Sequence, residues 1–502
     1  MSSLADLLLA HPFTDDEALL HTADRTLTAG EARARTAELA DRLRAAGVRP
    51  GTAAAVRLPN SPESVLAMTA IWSVGAVFVP VNAAAPPAEV EYALAAAHPV
   101  ALVETDPDDG VRVRRLDPAP DTAGGVEVAG GAGGAGGAAV PSGVAGGGVR
   151  RVYDVGTAFV TWTSGTTGTP KAILHTHDGY LELLDRVLRP LRARATATPA
   201  RPPSPNLIPV SLALNSGIYN ALFGLRAGAA LVIMDRFRPR EFADLVARFG
   251  IRSTVLPPAA IAMLTASDVE ALAPLRYVRS ITAALSPLQA RRFTERFGAF
   301  VLNSYGQAEI GEVIGWTAAD AKAHPEKVGA AGRPLPGVEI RVGSETGAPD
   351  GEVGPLWVRP PRMASGYATG ELLADRIDAE GFLDTGDLAR MDEDGFVWIE
   401  GRAGDLINRG GNKVFPEQVE EVLQLHPAVF EAAVAGAPDE RLGEVPVAFV
   451  VDAHGAVPAT DDELVRLCRD HLVAYKVPVA FHRVDALPRT EVGKLRRQEL
   501  LR

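Results

Sequence analysis

The chain has 502 residues, 47% of them hydrophobic and 22% charged, with a formal net charge of −12 and a single cysteine. That length exceeds what one hydrophobic core usually serves, so at least two domains are expected, and the surplus of carboxylates disfavours a nucleic-acid partner, whose phosphates reward clustered Lys and Arg. One cysteine, Cys468, excludes an internal disulfide and a cysteine-based zinc site and suits a reducing compartment.

The first residues, Met-Ser-Ser-Leu-Ala-Asp, lack the basic start of a secretory signal, so the expected location is the cytoplasm. The helical period predicts a helix over Ala32–Ala46, and a strand follows at Ala53–Arg57. Ser64 to Ala88 carries no charge and is long enough to span a bilayer. Gly75, Pro80, Pro86 and Pro87 interrupt it, so a buried helix near Ser61–Val74 and a strand over Ala76–Val81 are expected instead of a membrane span. From Ala123 to Gly148 the chain is dominated by Gly, Ala and Val, with Pro141 and Ser142, without period, and residues 124–148 are expected to form a mobile surface insertion.

A strand over Thr157–Trp162 runs into Thr163-Ser164-Gly165-Thr166-Thr167-Gly168-Thr169-Pro170-Lys171. Glycines let the backbone approach an anion with its N–H groups turned inward, hydroxyls add donors, and Lys171 adds a point charge. The spacing is not that of a P-loop, so a P-loop nucleotide hydrolase is disfavoured. Farther on, a strand over Ala230–Met234, a helix over Arg240–Phe249 and a strand over Thr254–Leu256 continue an alternation that favours helix-covered parallel or mixed sheets. After Gly401 the signals become compact: a helix over Val414–Gln424, strands over Phe430–Ala435 and Val445–Val451, and a helix over Asp461–Leu472. A small α+β domain is expected there, with a boundary near Arg402–Asp405.

The Thr163–Lys171 loop resembles the signature loop of the adenylate-forming superfamily, which includes acyl-CoA synthetases, peptide-synthetase adenylation domains and luciferases. Later motifs follow in the family's order. Asn303-Ser304-Tyr305-Gly306-Gln307-Ala308-Glu309 resembles its Tyr-Gly-x-Thr-Glu element. The resemblance implies that Tyr305 packs on adenine and that Glu309 helps hold Mg²⁺, a hard cation suited to a carboxylate that also meets phosphates. Ala308 stands where the family usually has a threonine. Gly381-Phe382-Leu383-Asp384-Thr385-Gly386-Asp387 resembles Gly-Trp-x-x-Thr-Gly-Asp, which implies that Asp387 accepts hydrogen bonds from the ribose diol and that Arg402 adds a second ribose contact. Pro488-Arg489-Thr490-Glu491-Val492-Gly493-Lys494 resembles the C-terminal motif whose lysine, here Lys494, bridges the acid carboxylate and the α-phosphate.

The same resemblance places the thiol tunnel at Gly410 and Gly411, and a hinge at Gly404 where the family has Asp or Lys. Pro209 to Gly217 occupies the place of the family's acyl-site motif without its histidine, and Thr282-Ala283-Ala284 replaces a usual Gly-Gly-Ala. Small residues at Ser211, Ala213, Ser216, Gly217, Ala283 and Ala284, together with Asn215 and Thr282, imply a roomy and largely apolar acyl pocket.

The fold implied is α/β, with a large N-terminal domain of several helix-covered sheets over 1–401 and a small mobile α+β domain over 402–502. The activity implied is an acid–CoA ligase working through acyl-AMP, with ATP or acyl-AMP, Mg²⁺ and coenzyme A as cofactors and a small-molecule carboxylic acid or its adenylate as substrate. The departures at Ala308, Thr282 and the missing histidine raise a sharper expectation, that adenylation is weakened and a preformed acyl-AMP is mainly thioesterified. Alternatives are delivery to a carrier protein's phosphopantetheine and a catalytically silent acid- or nucleotide-binding relative. No feature selects a luciferase-type oxygenase.

Overall fold

The computed structural model describes residues 3–106, 110–116, 152–164, 170–195, 203–283, 285–343, 351–367, 373–489 and 495–501. The insertion expected at 124–148 lies outside them. The chain divides into two compact units, residues 1–238 with 362–373, and residues 239–361 with 374–502. Among the described residues no helix is long and apolar enough to cross a membrane.

The first unit is built on a seven-stranded sheet in the order Gly366–Tyr367, Pro170–Thr176, Thr157–Ser164, Val77–Pro80, Ala53–Arg57, Ala101–Asp106, Gly110–Arg115. Its centre is parallel and buried, and the strands read as near-continuous apolar runs for that reason. Helix Pro62–Ser73 is buried almost all round, which accounts for the long uncharged stretch without a membrane. Helix Ala29–Ala45 starts three residues earlier than its apolar period indicated. Thr28 caps it, accepting from the Glu31 amide at 3.2 Å while Glu31 accepts from the Thr28 amide at 2.8 Å. A smaller sheet in the order Thr26–Thr28, Ala18–His21, Leu231–Ile233, Asn206–Ile208 completes this unit.

Among the described residues the second unit contains three sheets. Ser253–Leu256, Tyr277–Ser280 and Phe300–Gln307 are parallel, and Gly311–Gly315 and Arg333–Pro334 add antiparallel strands. Glu339–Val342, Gly354–Arg359, Leu383–Met391 and Val397–Arg402 form an antiparallel meander. The last sheet, formed by Asn412–Val414, Ile407–Arg409, Gly443–Asp452, Val429–Asp439 and Ala480–Arg483, packs on helices Pro416–Leu423 and Asp461–His471. The helix expected from Val414 therefore begins two residues later. Gly410 and Gly411, at φ 58° and 93°, make a two-residue turn that sends Asn412–Val414 back as a strand, and Pro416 then occupies a first-turn position that needs no N–H donor. Cys468 is buried in this core, and burial pushes its thiol up to about 11. It packs as a small apolar residue.

Candidate active site

The tyrosine motif forms the end of strand Phe300–Gln307 and turns tightly into Gly311–Gly315. Gly306 is required there, because a Cβ would meet the carbonyl oxygen of Gly311 at 2.1 Å. Asn303 and Ser304 precede the turn, and Ser304 donates to the carbonyl of Ser280 at 3.1 Å. The Tyr305 hydroxyl donates to Oδ2 of Asp387 at 2.5 Å. Burial first, and then the neighbouring Asp387 charge, holds the Tyr305 hydroxyl well above its ordinary pKa, so it stays a proton donor.

Asp387 lies on strand Leu383–Met391, directly opposite Arg402. The residue is only 5% exposed. Gln307 Nε2 donates to Oδ2 at 2.9 Å and to the Thr385 carbonyl at 2.7 Å, while Arg402 Nε stands 3.3 Å from Oδ1. A buried carboxylate is stable only when paired and hydrogen-bonded, and these donors meet that need. Carboxylate oxygens offer about four lone-pair sites, so the same group can still receive a diol at the Arg402 side.

Glu309 is joined to this cluster by a residue outside every motif, Arg376. Its Nη1 stands 3.4 Å from Glu309 Oε1, its Nη2 reaches Gln307 Oε1 at 3.4 Å, and Nη2 and Nε donate to the Asp384 carbonyl at 2.7 and 3.2 Å. Arg376 closes a 3₁₀ turn at Leu373–Arg376 and Asp384 lies inside the aspartate motif, so local chain geometry aims the guanidinium. A lone arginine ahead of Gly381 carried no sequence signal of its own. The same holds for Arg279 and Glu312, an ion pair that joins the hairpin strand Gly311–Gly315 to strand Tyr277–Ser280 with Glu312 buried. Ala308 lies half-buried between Gln307 and Glu309.

Thr282 and Ala283 follow strand Tyr277–Ser280 at its carboxyl end, where α/β sheets place their ligands. Thr282 has φ 84°, a conformation that β-branched residues avoid, and its Oγ1 is buried without a hydrogen-bond partner, as are Oγ of Ser280 and Ser286.

The other predicted residues of the nucleotide and acyl sites lie in the first unit. The signature loop joins two antiparallel strands, with Thr163 opposite Lys171 and Ser164 opposite Pro170. Lys171 Nζ sits 5.3 Å from the centre of the Tyr367 ring. The segment Val210–Leu212 is pinned by Asn60, whose Nδ2 donates to the Val210 and Met234 carbonyls at 2.9 and 2.7 Å and whose Oδ1 accepts from the Leu212 amide at 2.6 Å. Ser211 Oγ accepts from the Ala213 amide at 3.2 Å, and Asn215, first residue of helix Asn215–Arg226, accepts from Tyr180 at 3.0 Å. Ser216 is half-buried, and Gly217 is a packing glycine whose Cβ would meet the Ser211 carbonyl at 2.0 Å.

In the C-terminal region Gly410 and Gly411 are fixed by their turn, whereas Gly404 has nothing within 4 Å of an added Cβ. Gly165, Thr166, Thr167, Gly168, Ala284 and Lys494 lie outside the described residues, and so their geometry does not enter the site.

Layered α/β architecture of this kind, with a large N-terminal part and a small C-terminal sheet, is that of the adenylate-forming enzymes. Residues 10–368 match the AMP-binding enzyme family, and residues 418–494 match the AMP-binding enzyme C-terminal domain. The chain belongs to the AMP-binding enzyme family, the AMP-forming acid–thiol ligases. It is 32% identical over 483 residues to the sulfoacetate–CoA ligase of Cupriavidus necator, covering 91% of this chain and 88% of that one. It is 33% identical over 516 residues to the 4-coumarate–CoA ligase-like 9 of Oryza sativa subsp. japonica, covering 98% and 90%. Among solved structures it resembles the amide bond synthetase McbA from Marinactinospora thermotolerans, at 27% identity and a TM-score of 0.79, covering 99% of this chain and 98% of that one.

Proposed function

We propose that this protein converts a carboxylic acid to its acyl-AMP with ATP and then passes the acyl group to coenzyme A. The observation that carries the reading is Asp387: a buried carboxylate held by Tyr305, Gln307 and Arg402, in the order the family uses for ribose. In this reading the acid's carboxylate attacks the α-phosphorus, pyrophosphate leaves, and the thiol then attacks the acyl carbon with AMP as leaving group. Asp387 and Arg402 hold the ribose diol, and Tyr305, its hydroxyl tied to Asp387, presents its ring to the base. The Thr163–Lys171 loop takes the polyphosphate, and Lys494 meets the acid carboxylate and the α-phosphate. Rotation of residues 402–502 about Gly404 separates the two half-reactions.

Glu309 is the carboxylate that would hold Mg²⁺. A single carboxylate suits a hard cation that keeps most of its waters and takes its remaining ligands from phosphate. Bound there, Mg²⁺ would neutralise charge on the leaving pyrophosphate.

Adenylation is the weaker half-reaction in this reading, because Ala308 supplies no hydroxyl to the phosphate. Single-turnover rates of pyrophosphate release and of thioester formation from supplied acyl-AMP test this, in the parent and in Ala308→Thr. Slow release that the threonine accelerates is expected, and fast release in the parent would leave an ordinary two-step ligase. The acid is not set by kinship, since the relatives' names include sulfoacetate and 4-coumarate. Likeness to an amide bond synthetase supports a second reading in which an amine accepts the acyl group. Mass analysis of products formed with coenzyme A, a phosphopantetheinylated carrier protein or simple amines separates the acceptors.

A further inference from the structure

We infer that Arg376 is a polyphosphate-binding residue, a fixed cation that takes hold of the β- and γ-phosphates of ATP and has no partner in AMP. The inference rests on the nucleotide reading of the Asp387 site. Starting at the ribose carboxylate, the contacts form a chain: Asp387 to Gln307 at 2.9 Å, Gln307 to Arg376 at 3.4 Å, and Arg376 to Glu309 at 3.4 Å. A nucleotide with its diol on Asp387 extends its phosphates past Gln307 toward the two charges at the far end of that chain. One of those charges is the carboxylate expected to meet the metal. The other is a guanidinium.

The guanidinium is held for this purpose from behind. Nε and Nη2 donate to the Asp384 carbonyl at 3.2 and 2.7 Å, which fixes the plane of the group, while the Nη1 edge makes the long 3.4 Å contact with Glu309. A planar fork of N–H donors anchored at one edge presents the other to phosphate oxygens with little loss of side-chain freedom. Before the nucleotide arrives, the same edge balances Glu309, whose side chain is 12% exposed and would otherwise be a poorly solvated charge. When the polyphosphate and its cation arrive, Glu309 exchanges one positive partner for another, and Arg376 turns its Nη1 edge to the phosphates without leaving Asp384.

Calorimetric affinities for ATP and AMP, both with Mg²⁺, test the assignment in the parent, Arg376→Gln and Arg376→Lys. Loss of a charge-assisted contact is expected to weaken ATP by about tenfold or more in Arg376→Gln, with AMP changed by less than about twofold and Arg376→Lys falling between for ATP. Equal weakening of both nucleotides would show that Arg376 only holds the site together, and unchanged ATP affinity would show that it does not meet the polyphosphate. Either result overturns the inference. A parent that binds neither nucleotide would overturn the functional reading beneath it.

Discussion

The Tyr305 hydroxyl donates to Asp387 Oδ2 at 2.5 Å across 82 residues of chain, tying the end of the middle strand of one sheet to an inner strand of another. This bond fixes both the tyrosine ring and the carboxylate. In Tyr305→Phe the ring remains while the buried carboxylate loses a donor. Expected are a lower unfolding midpoint, corresponding to roughly 1.5–3 kcal/mol for a hydrogen bond to a charged group, and AMP affinity within a few fold of the parent. Tyr305→Ala removes the ring as well and should lose AMP. Calorimetry on both variants checks this; equal AMP affinity in the phenylalanine and alanine variants would mean that the ring does not meet the base.

Asp387→Ala should weaken ATP and AMP alike, because both carry the same ribose diol. The partners left behind, Tyr305 and Gln307, lose a shared acceptor, and an unpaired buried donor costs about 1–3 kcal/mol. A selective effect on ATP alone would move Asp387 from the ribose to the phosphates.

Thr282 sits at φ 84° with a buried, unpartnered hydroxyl. Strain of this sort costs roughly 1–3 kcal/mol, against about 0.5–1 kcal/mol for the extra unfolded-state freedom of a glycine. Thr282→Gly should therefore raise the unfolding midpoint. If the threonine lines the acyl site, the same change should lower kcat/KM for the cognate acid. A fall in midpoint would show that the hydroxyl is satisfied in solution.

Much of the site's long-range order was legible in the chain. Tyr305 and Asp387 belong to separate motifs, and it is the resemblance of both motifs to the family's that implied a shared site; the hydrogen bond between them shows that the fold brings the two residues together. Arg376 was not legible. It lies in a stretch without helical or strand period, and its meaning arises only when the chain brings it to Glu309, 67 residues away. The positive φ of Thr282 was hidden because nothing in a threonine signals it. The hairpin at Ile407–Val414 was read partly as helix because Val414 fits the apolar period of the helix that follows, and the Gly410-Gly411 turn overrides that period.

His175 is fully enclosed, stacked on Phe159 at 4.6 Å and hydrogen-bonded through Nε2 to the Thr161 hydroxyl at 2.8 Å. Burial lowers its pKa to about 3. The folded chain thus refuses a proton that the unfolded chain accepts below about 6.5. Its contribution is present in full above that pH and is lost as the pH falls toward 3, with a slope of about 1.4 kcal/mol per pH unit. In His175→Gln the stability deficit relative to the parent, read from unfolding midpoints, should narrow from pH 7.5 to pH 5. A deficit that stays constant across that range would mean that His175 titrates normally in the fold.

Acid-dependent exchange of labelled pyrophosphate into ATP tests the chemistry at its root, because it reports reversible formation of acyl-AMP and nothing else at this site. Across a broad panel of small and aromatic acids with ATP and Mg²⁺, the expected result is label in ATP for one acid class and none without acid, with added coenzyme A converting the adenylate to thioester and AMP. Absence of exchange with every acid, together with failure to turn synthetic acyl-AMPs into thioesters, would contradict an acid–CoA ligase.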